Sequence, residues 1–194
     1  MIKKVIKKIY IYFKSRIYIN ETAILFENFK NVMQTSPAKI VQANHNNLTD
    51  TLIFQDPKYI GIFNKFLDSG DKGYFAYLNG KCVHRSWVQF GEKEVSLTPF
   101  IKRKIKQNEA YIHYCETAPE ARGKNIYPAV LSKIVSNIKD KYKNIYISTN
   151  INNKASRRGI KKAGFREIEK MRIIVILGVK IKKLQKLNKI KSNE

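Results

Sequence analysis

The stretch Thr117-Ala118-Pro119-Glu120-Ala121-Arg122-Gly123-Lys124-Asn125-Ile126-Tyr127-Pro128 constrains this chain more than any other. Before it lies a β-rich run, Ala110 to Glu116. After it, from Tyr127 to Tyr142, the residues Tyr127, Val130, Leu131, Ile134 and Ile138 recur on one helical face. Pro128 is tolerated in the first turn of such a helix. Strand, basic Gly-containing turn and helix N-terminus together predict an anion site. Successive backbone N–H groups and the positive end of the helix dipole converge there. Arg122 and Lys124 add formal charge, and the natural occupant is a phosphate or pyrophosphate. A P-loop is excluded, because Gly123-Lys124-Asn125 lacks the upstream Gly and the hydroxyl for magnesium. A dinucleotide fingerprint is excluded too, since Gly123 is the only glycine in the turn.

A second segment follows at strand–helix–strand spacing. Asn144-Ile145-Tyr146-Ile147-Ser148-Thr149 alternates and predicts a strand. Asn153-Lys154-Ala155-Ser156-Arg157-Arg158-Gly159-Ile160-Lys161-Lys162-Ala163-Gly164-Phe165 then reads as a short helix. Asn153 can cap it, Gly164 can end it, and Phe165 can enter the core.

Taken together, these two segments resemble the acetyl-CoA loop and the following Asn-x-x-Ala/Ser helix of the GNAT N-acetyltransferase superfamily. Arg122 stands at the first position of the family's Arg/Gln-x-x-Gly-x-Gly/Ala pattern, while Asn125 and Tyr127 replace the two later small residues. The resemblance spans residues 39–179, with its specific motifs within 117–165. It implies an α/β fold with a mixed, mainly antiparallel central sheet flanked by helices. It also implies acetyl transfer from acetyl-CoA to a small-molecule amine. Cys115, Thr117, Arg122, Gly123, Lys124, Asn125, Ile126, Tyr127 and Asn153 are then the expected cofactor contacts. The variant motifs look similar to bacterial members associated with amino-sugar or surface-polysaccharide synthesis.

Such chemistry needs a proton acceptor for the amine and help for the departing thiolate. Glu116, at the end of its strand, is the first candidate base and His113 the second. In a regular strand the two cannot share a face, unless a bulge intervenes. The family often places a Tyr acid five residues before the Phe of Gly-Phe; here that position is Ile160. Ser156 and Tyr127 are the nearby hydroxyls, and a thiolate can also leave unassisted. Ile160 favours the rival reading, a module that binds acyl-CoA without turnover. His45, His84 and His113 are dispersed and the two cysteines, Cys82 and Cys115, have no metal spacing, so no metal is expected. Trp87 and its Tyr-rich hairpin offer either a stacking platform or cross-strand packing.

With 194 residues and 43% hydrophobic content, a single domain with extensions is expected. Two cysteines make no disulfide framework, and no apolar leader with a small-residue cleavage site is seen. A cytoplasmic protein is expected, with the run Ile173 to Val179 a buried strand too short to span a bilayer. The net charge is +23, and residues 1–16 carry six basic residues and no acid. Ile2, Val5, Ile6, Ile9 and Phe13 fall at helical spacing there, and Ile181, Leu184, Leu187 and Ile190 do so in the tail. Codon bias explains the lysines without any partner. Peripheral docking on an anionic membrane ranks next, and nucleic acid below it. The expected organisation is a basic extension over 1–36, the acyltransferase domain over 37–179 and a basic tail over 180–194. Asn79-Gly80 between Tyr74–Leu78 and Cys82–Val88 predicts a hairpin.

Overall fold

The computed structural model describes residues 18–187. Ten strands and three α-helices form the fold. The strands are β1 Tyr18–Asn28, β2 Lys39–Gln42, β3 Lys72–Leu78, β4 Lys81–Phe90, β5 Lys93–Thr98, β6 Ile101–Ile105, β7 Glu109–Thr117, β8 Asn144–Asn150, β9 Phe165–Ile176 and β10 Val179–Lys186. The α-helices are α1 Lys58–Asp68, α2 Ile126–Ile138 and α3 Lys154–Lys162, with a 3-10 helix over His45–Ile53. Eight strands make one sheet in the order β10-β9-β1-β8-β7-β4-β3-β2, and β5–β6 is a separate hairpin. Every neighbouring pair in the large sheet is antiparallel except β7–β8. The expected mixed, mainly antiparallel sheet with flanking helices is therefore present.

The Asn79-Gly80 hairpin joins β3 to β4 with φ of 49° and 76° at its two central residues. Both angles are positive, the type I′ geometry that suits the twist of the flanking strands. One sheet face carries α2 and α3, where Val130, Leu131 and Ile134 pack on Ile24, Phe26, Ile112 and Ile147, all buried. Each such aliphatic side chain contributes about 1.5–3 kcal/mol on burial. The other face carries α1 and the 3-10 helix over β3–β4. There Phe63 stacks on Trp87 with centroids 5.2 Å apart. Further along this face, β5–β6 covers Tyr111, Tyr146, Ile173 and Val175.

Three expectations are corrected. The boundary at residue 36 does not set an extension apart, because β1 lies inside the sheet between β8 and β9. Its run Ala23–Phe26 is fully buried, which explains why the most apolar part of the N-terminal third could not stay outside the core. Residues of the tail through Lys186 form β10, paired along its whole length with β9, rather than an amphipathic helix. β-branched Val179 and Ile181 follow a Leu177-Gly178 turn with φ of 48° and 87°, and that turn dictates a hairpin. For the same reason, Ile173 to Val179 is not one buried strand. Ile173 and Val175 are buried, whereas Ile176, Leu177 and Val179 are exposed. The helical pattern of residues 2–13, and positions 188–194, lie outside the described residues.

Candidate active site

β7 and β8 run together only from Glu109↔Asn144 to Ile112↔Ile147. Beyond that point they part, so the β8-facing edge of residues 113–117 has no strand partner among the described residues. A cavity of about 1150 Å³ occupies the opening. Its walls come from the end of β7, the turn before α2 and one face of α3.

The parting coincides with a bulge. Tyr114 has φ 48°, and the β4–β7 register shifts between Arg85↔Glu116 and Trp87↔His113. Arg85 and Trp87 are two apart on β4 and share a face. His113 and Glu116 therefore share one too, and both border the cavity. The condition under which both candidate bases can face the same space is met.

Their environments differ. Glu116 Oε2 accepts from Arg85 Nη2 at 2.9 Å, and the carboxylate side chain is 44% exposed. Arg85 is buried; its Nε and Nη2 also donate to Gln55 Oε1 at 2.9 and 2.6 Å, and its Nη1 donates to the Tyr114 carbonyl. Tyr59, Phe63 and Tyr114 surround the guanidinium with their rings. His113 lies deeper, edge-on to Phe66 and Tyr114. Burial, aided by the charges of Lys93 and Arg85, pushes its pKa down to about 3. Its Nε2 has no hydrogen-bond partner and stands 3.9 Å from the equally unpartnered Asp71 Oδ2. That separation is too long for a hydrogen bond, and burial favours the neutral imidazole.

On the opposite wall, the turn after β7 delivers the anion site. Gly123 and Asn125 have φ of 80° and 57°, which folds the chain sharply into α2. Asn125 is the N-cap, but its side chain makes no capping bond. Instead its Nδ2 donates to the Thr35 carbonyl at 2.6 Å, tying the turn to the segment after β1. The first N–H of the helix with a backbone acceptor is that of Ala129, bonded to Asn125 O at 3.2 Å. The N–H groups before it are the unsatisfied donors of a helix N-terminus. Ile126 contributes backbone only, since its side chain is 2% exposed in the core.

The cations are not all where the sequence put them. Arg122 borders the cavity, and its Nε donates to the Thr117 carbonyl at 3.2 Å. Lys124 does not border it. One residue past the positive-φ Gly123 it points the other way, into a smaller hollow beside Ile53, Leu78 and Val83. Arg158 and Lys162 of α3 border the main cavity instead. Their i, i+4 spacing was a legible signal. The interleaved pair Arg157 and Lys161 turns away to Glu167, at 2.9 and 3.0 Å.

Asn153 caps α3, its Oδ1 accepting from Ser156 N–H at 3.0 Å. Ser156 Oγ is 3.4 Å from Tyr127 Oη. Tyr127 crosses from α2 to α3 directly over Gly159, where an added Cβ would sit 2.8 Å from its ring. Burial raises the Tyr127 pKa well above the phenol range and the Cys115 pKa to about 11, so both keep their protons. Beneath them His84 bridges Thr117 Oγ1 at 2.7 Å and Ser86 Oγ at 2.8 Å. It too is neutral, with a pKa pushed down to about 3 by burial. This buried bridge was not found in the sequence, where nothing marks His84. Ile160 is wholly buried and offers nothing to the cavity. Trp87, also wholly buried, is cross-strand packing and not a stacking platform.

No family model matches the chain, and no curated protein does. Solved structures do. An acetyltransferase of the GNAT family from Colwellia psychrerythraea aligns at TM-score 0.62 and 15% identity, over 81% of this chain and 55% of its own. The glucosamine N-acetyltransferase region of a fungal multi-domain beta-N-acetylglucosaminidase aligns at TM-score 0.58 and 10% identity, over 87% of this chain and 22% of that one. An aminoglycoside N-acetyltransferase in complex with CoA aligns at TM-score 0.51 and 13% identity, over 66% and 92%. At these identities the likeness is one of fold: the chain has the fold of GNAT acetyltransferases. It spans little more than half the length of the Colwellia protein.

Proposed function

We propose that this chain transfers an acetyl group from acetyl-CoA to the amine of a small acceptor. One observation carries the reading: a single cavity joins the anion-binding turn before α2 to the Glu116 carboxylate at the β7 bulge. The residues present fit CoA. Unsatisfied N–H groups at Gly123–Tyr127, with Arg122, Arg158 and Lys162, suit its phosphates. The unpartnered β7 edge at residues 113–117 suits an amide-bearing arm. When bound, acetyl-CoA supplies the acyl group activated as a thioester.

The chain's own residues then handle protons. In the net reaction the amine nitrogen gains a bond to the acyl carbon, the carbon–sulfur bond breaks, and one amine proton must leave. Glu116 is the acceptor we favour, because it borders the cavity and Arg85 fixes its position. His113 is a poor store for a proton, since its burial penalises the imidazolium. Of the two candidate hydroxyls, Ser156 and Tyr127, we favour Tyr127 to return a proton to sulfur. It borders the cavity, which the wholly buried Ile160 does not.

An amino sugar is the acceptor class we favour. Gln89, Ser96 and Glu94 line the same cavity as His113 and can bind hydroxyl groups. The glucosamine and aminoglycoside enzymes of like fold support the same class. A cytoplasmic setting suits both the free thiols of Cys82 and Cys115 and the supply of acetyl-CoA. A second reading, acyl-CoA binding without turnover, is favoured by Ile160 and by the Arg85 pairing of Glu116. Thiol release from acetyl-CoA across a panel of amino sugars and other amines separates the two. CoA binding without any thiol release would select the second.

A further inference from the structure

A patch far from the cavity's catalytic wall carries an inference that does not depend on the proposed activity. β1 loses its β8 partner below Ala23↔Asn150, with one more backbone bond from Ile151 N–H to the Thr22 carbonyl, so Tyr18–Glu21 runs on past the end of β8 beside β9. With β10 outside β9, this makes a three-stranded tongue. It projects at the end of the sheet where Ser148, Thr149 and Asn153 border the cavity.

The two faces of the tongue differ. On one, Ile173 and Val175 are buried under β5–β6. On the other, Tyr18, Ile176 and Val179 are direct cross-strand neighbours, and Ile174 and Ile181 pair two residues further along. Antiparallel partners and i, i+2 residues share a face, so these five side chains form one apolar patch. Tyr18, Ile176, Val179 and Ile181 are exposed, and the turn residue Leu177 reaches 77% exposure. A contiguous apolar patch of this kind marks an interaction surface.

Cations frame it. On the patch's own face of the edge strand stands Lys183, with Arg172 opposite it on β9, and Lys180, Lys182 and Lys186 line the other face of the same strand. Of the nearby acids, Glu167 pairs with Arg157 and Lys161 and Glu169 with Arg103, while Glu21, opposite Ile173 on the other face of the tongue, is the one acid there without an ion pair among the described residues. Among the described residues those four lysines form no ion pair. The sequence attached at Tyr18 adds six basic residues and no acid.

We infer that the tongue docks on an anionic lipid surface, with Leu177, Ile176 and Val179 entering the headgroup boundary and the lysines meeting lipid phosphates. A second copy would set one row of lysines against another. Nucleic acid would answer the charge but give Leu177 no apolar medium. A bilayer supplies both. The contact is with the surface, as no helix among the described residues is long and apolar enough to cross a membrane. Docking by the tongue turns the cavity's end of the sheet toward the lipid.

The test is sedimentation of the full chain with vesicles of phosphatidylcholine alone, or with about a third phosphatidylglycerol. Binding to the anionic vesicles alone is expected. Ile176→Ser, Leu177→Ser and Val179→Ser together should weaken it at least about tenfold. Lys180→Glu, Lys182→Glu and Lys183→Glu together should weaken it about a hundredfold or more. All six positions are exposed, and matched thermal melts show that the variants fold. The inference is overturned if both variants bind vesicles as the parent does. It also fails if the parent binds oligonucleotides but no vesicles, or if the serine variant splits a dimer that never binds lipid.

Discussion

The Arg85 guanidinium stands 2.9 Å from the Glu116 carboxylate, with 4% of the Arg side chain exposed against 44% of the Glu. The pair is thus lopsided. Arg85 is part of the core and holds four acceptor contacts, while Glu116 is the member that reaches the cavity. Removing the Glu leaves Arg85 bonded to Gln55 and the Tyr114 carbonyl. Removing the Arg leaves those acceptors buried and unpaired.

Glu116→Gln should therefore fold normally and bind CoA with unchanged affinity. Its acetyl transfer should slow by about 10²–10⁴ at neutral pH, read as thiol release under saturating acetyl-CoA. Full activity in this variant, with loss in His113→Gln, would reverse the two roles.

Arg85→Leu should destabilise the fold by about 1–3 kcal/mol, the cost of leaving a buried acceptor unpaired, measured by denaturant melts. Arg85→Lys should recover little, because an ammonium cannot fork between Gln55 and Glu116.

CoA affinity separates the cations. Arg122→Ala, Arg158→Ala and Lys162→Ala should each weaken binding about 10- to 150-fold, the loss of one charge-assisted contact of roughly 1.5–3 kcal/mol. Lys124→Ala, whose side chain faces the other hollow, should bind as the parent does. Calorimetric titration reads both, and a defect confined to Lys124 would undo the assignment.

What the sequence showed and what it hid divide along a physical line. Local signals were legible: the Asn79-Gly80 turn, the Asn153 cap and the closing Gly164-Phe165 depend on residues adjacent in the chain. The turn before α2 was legible as a unit, yet the direction of each of its side chains was not. A single positive-φ residue, Gly123, sends Lys124 to the other side. The bulge at Tyr114 was hidden altogether, since a bulged strand has no compositional mark and shows itself only against its partner β4. Long-range pairing hid the status of β1, whose partners lie more than a hundred residues away. Burial hid the states of His84 and His113, which depend on everything packed around them.

Those two imidazoles make stability depend on acid. Both have native pKa values near 3 against an ordinary value of 6.5. Between these limits the unfolded chain binds protons that the folded chain excludes. Stability is therefore full above about pH 6.5 and falls as pH drops below it, by about 1.4 kcal/mol per pH unit for each histidine. Burial raises the Asp71 carboxyl and acts in the opposite sense near the acid end, offsetting part of the loss. Thermal melts at pH 7.5 and 5 should show a drop that is roughly halved in His84→Asn. An unchanged drop would mean that His84 is not held neutral.

Gly159→Ala probes the seat of Tyr127. The new Cβ would press on the tyrosine ring at 2.8 Å, costing about 1–3 kcal/mol of stability. It should also lower turnover more than CoA affinity. Tyr127→Phe should fold well and slow turnover about tenfold or more if its hydroxyl protonates the leaving sulfur. Acetyl donors whose thiol is a better leaving group than that of CoA should narrow that gap.

The place of β1 in the sheet bears on how the chain is made. Its neighbours, β8 and β9, begin at Asn144 and Phe165, so the ribosome releases Ile24-Leu25-Phe26 long before either exists. Until then β2, β3, β4 and β7 can assemble with α1 and α2, but β1 has no ladder to join. The last steps must carry it across the loop-closure barrier of the whole domain, the type of non-local pairing that slows folding and exposes apolar strands to aggregation. Truncation anywhere before β9 should yield an insoluble product, and a chaperone that shields the first thirty residues should raise the yield of soluble protein.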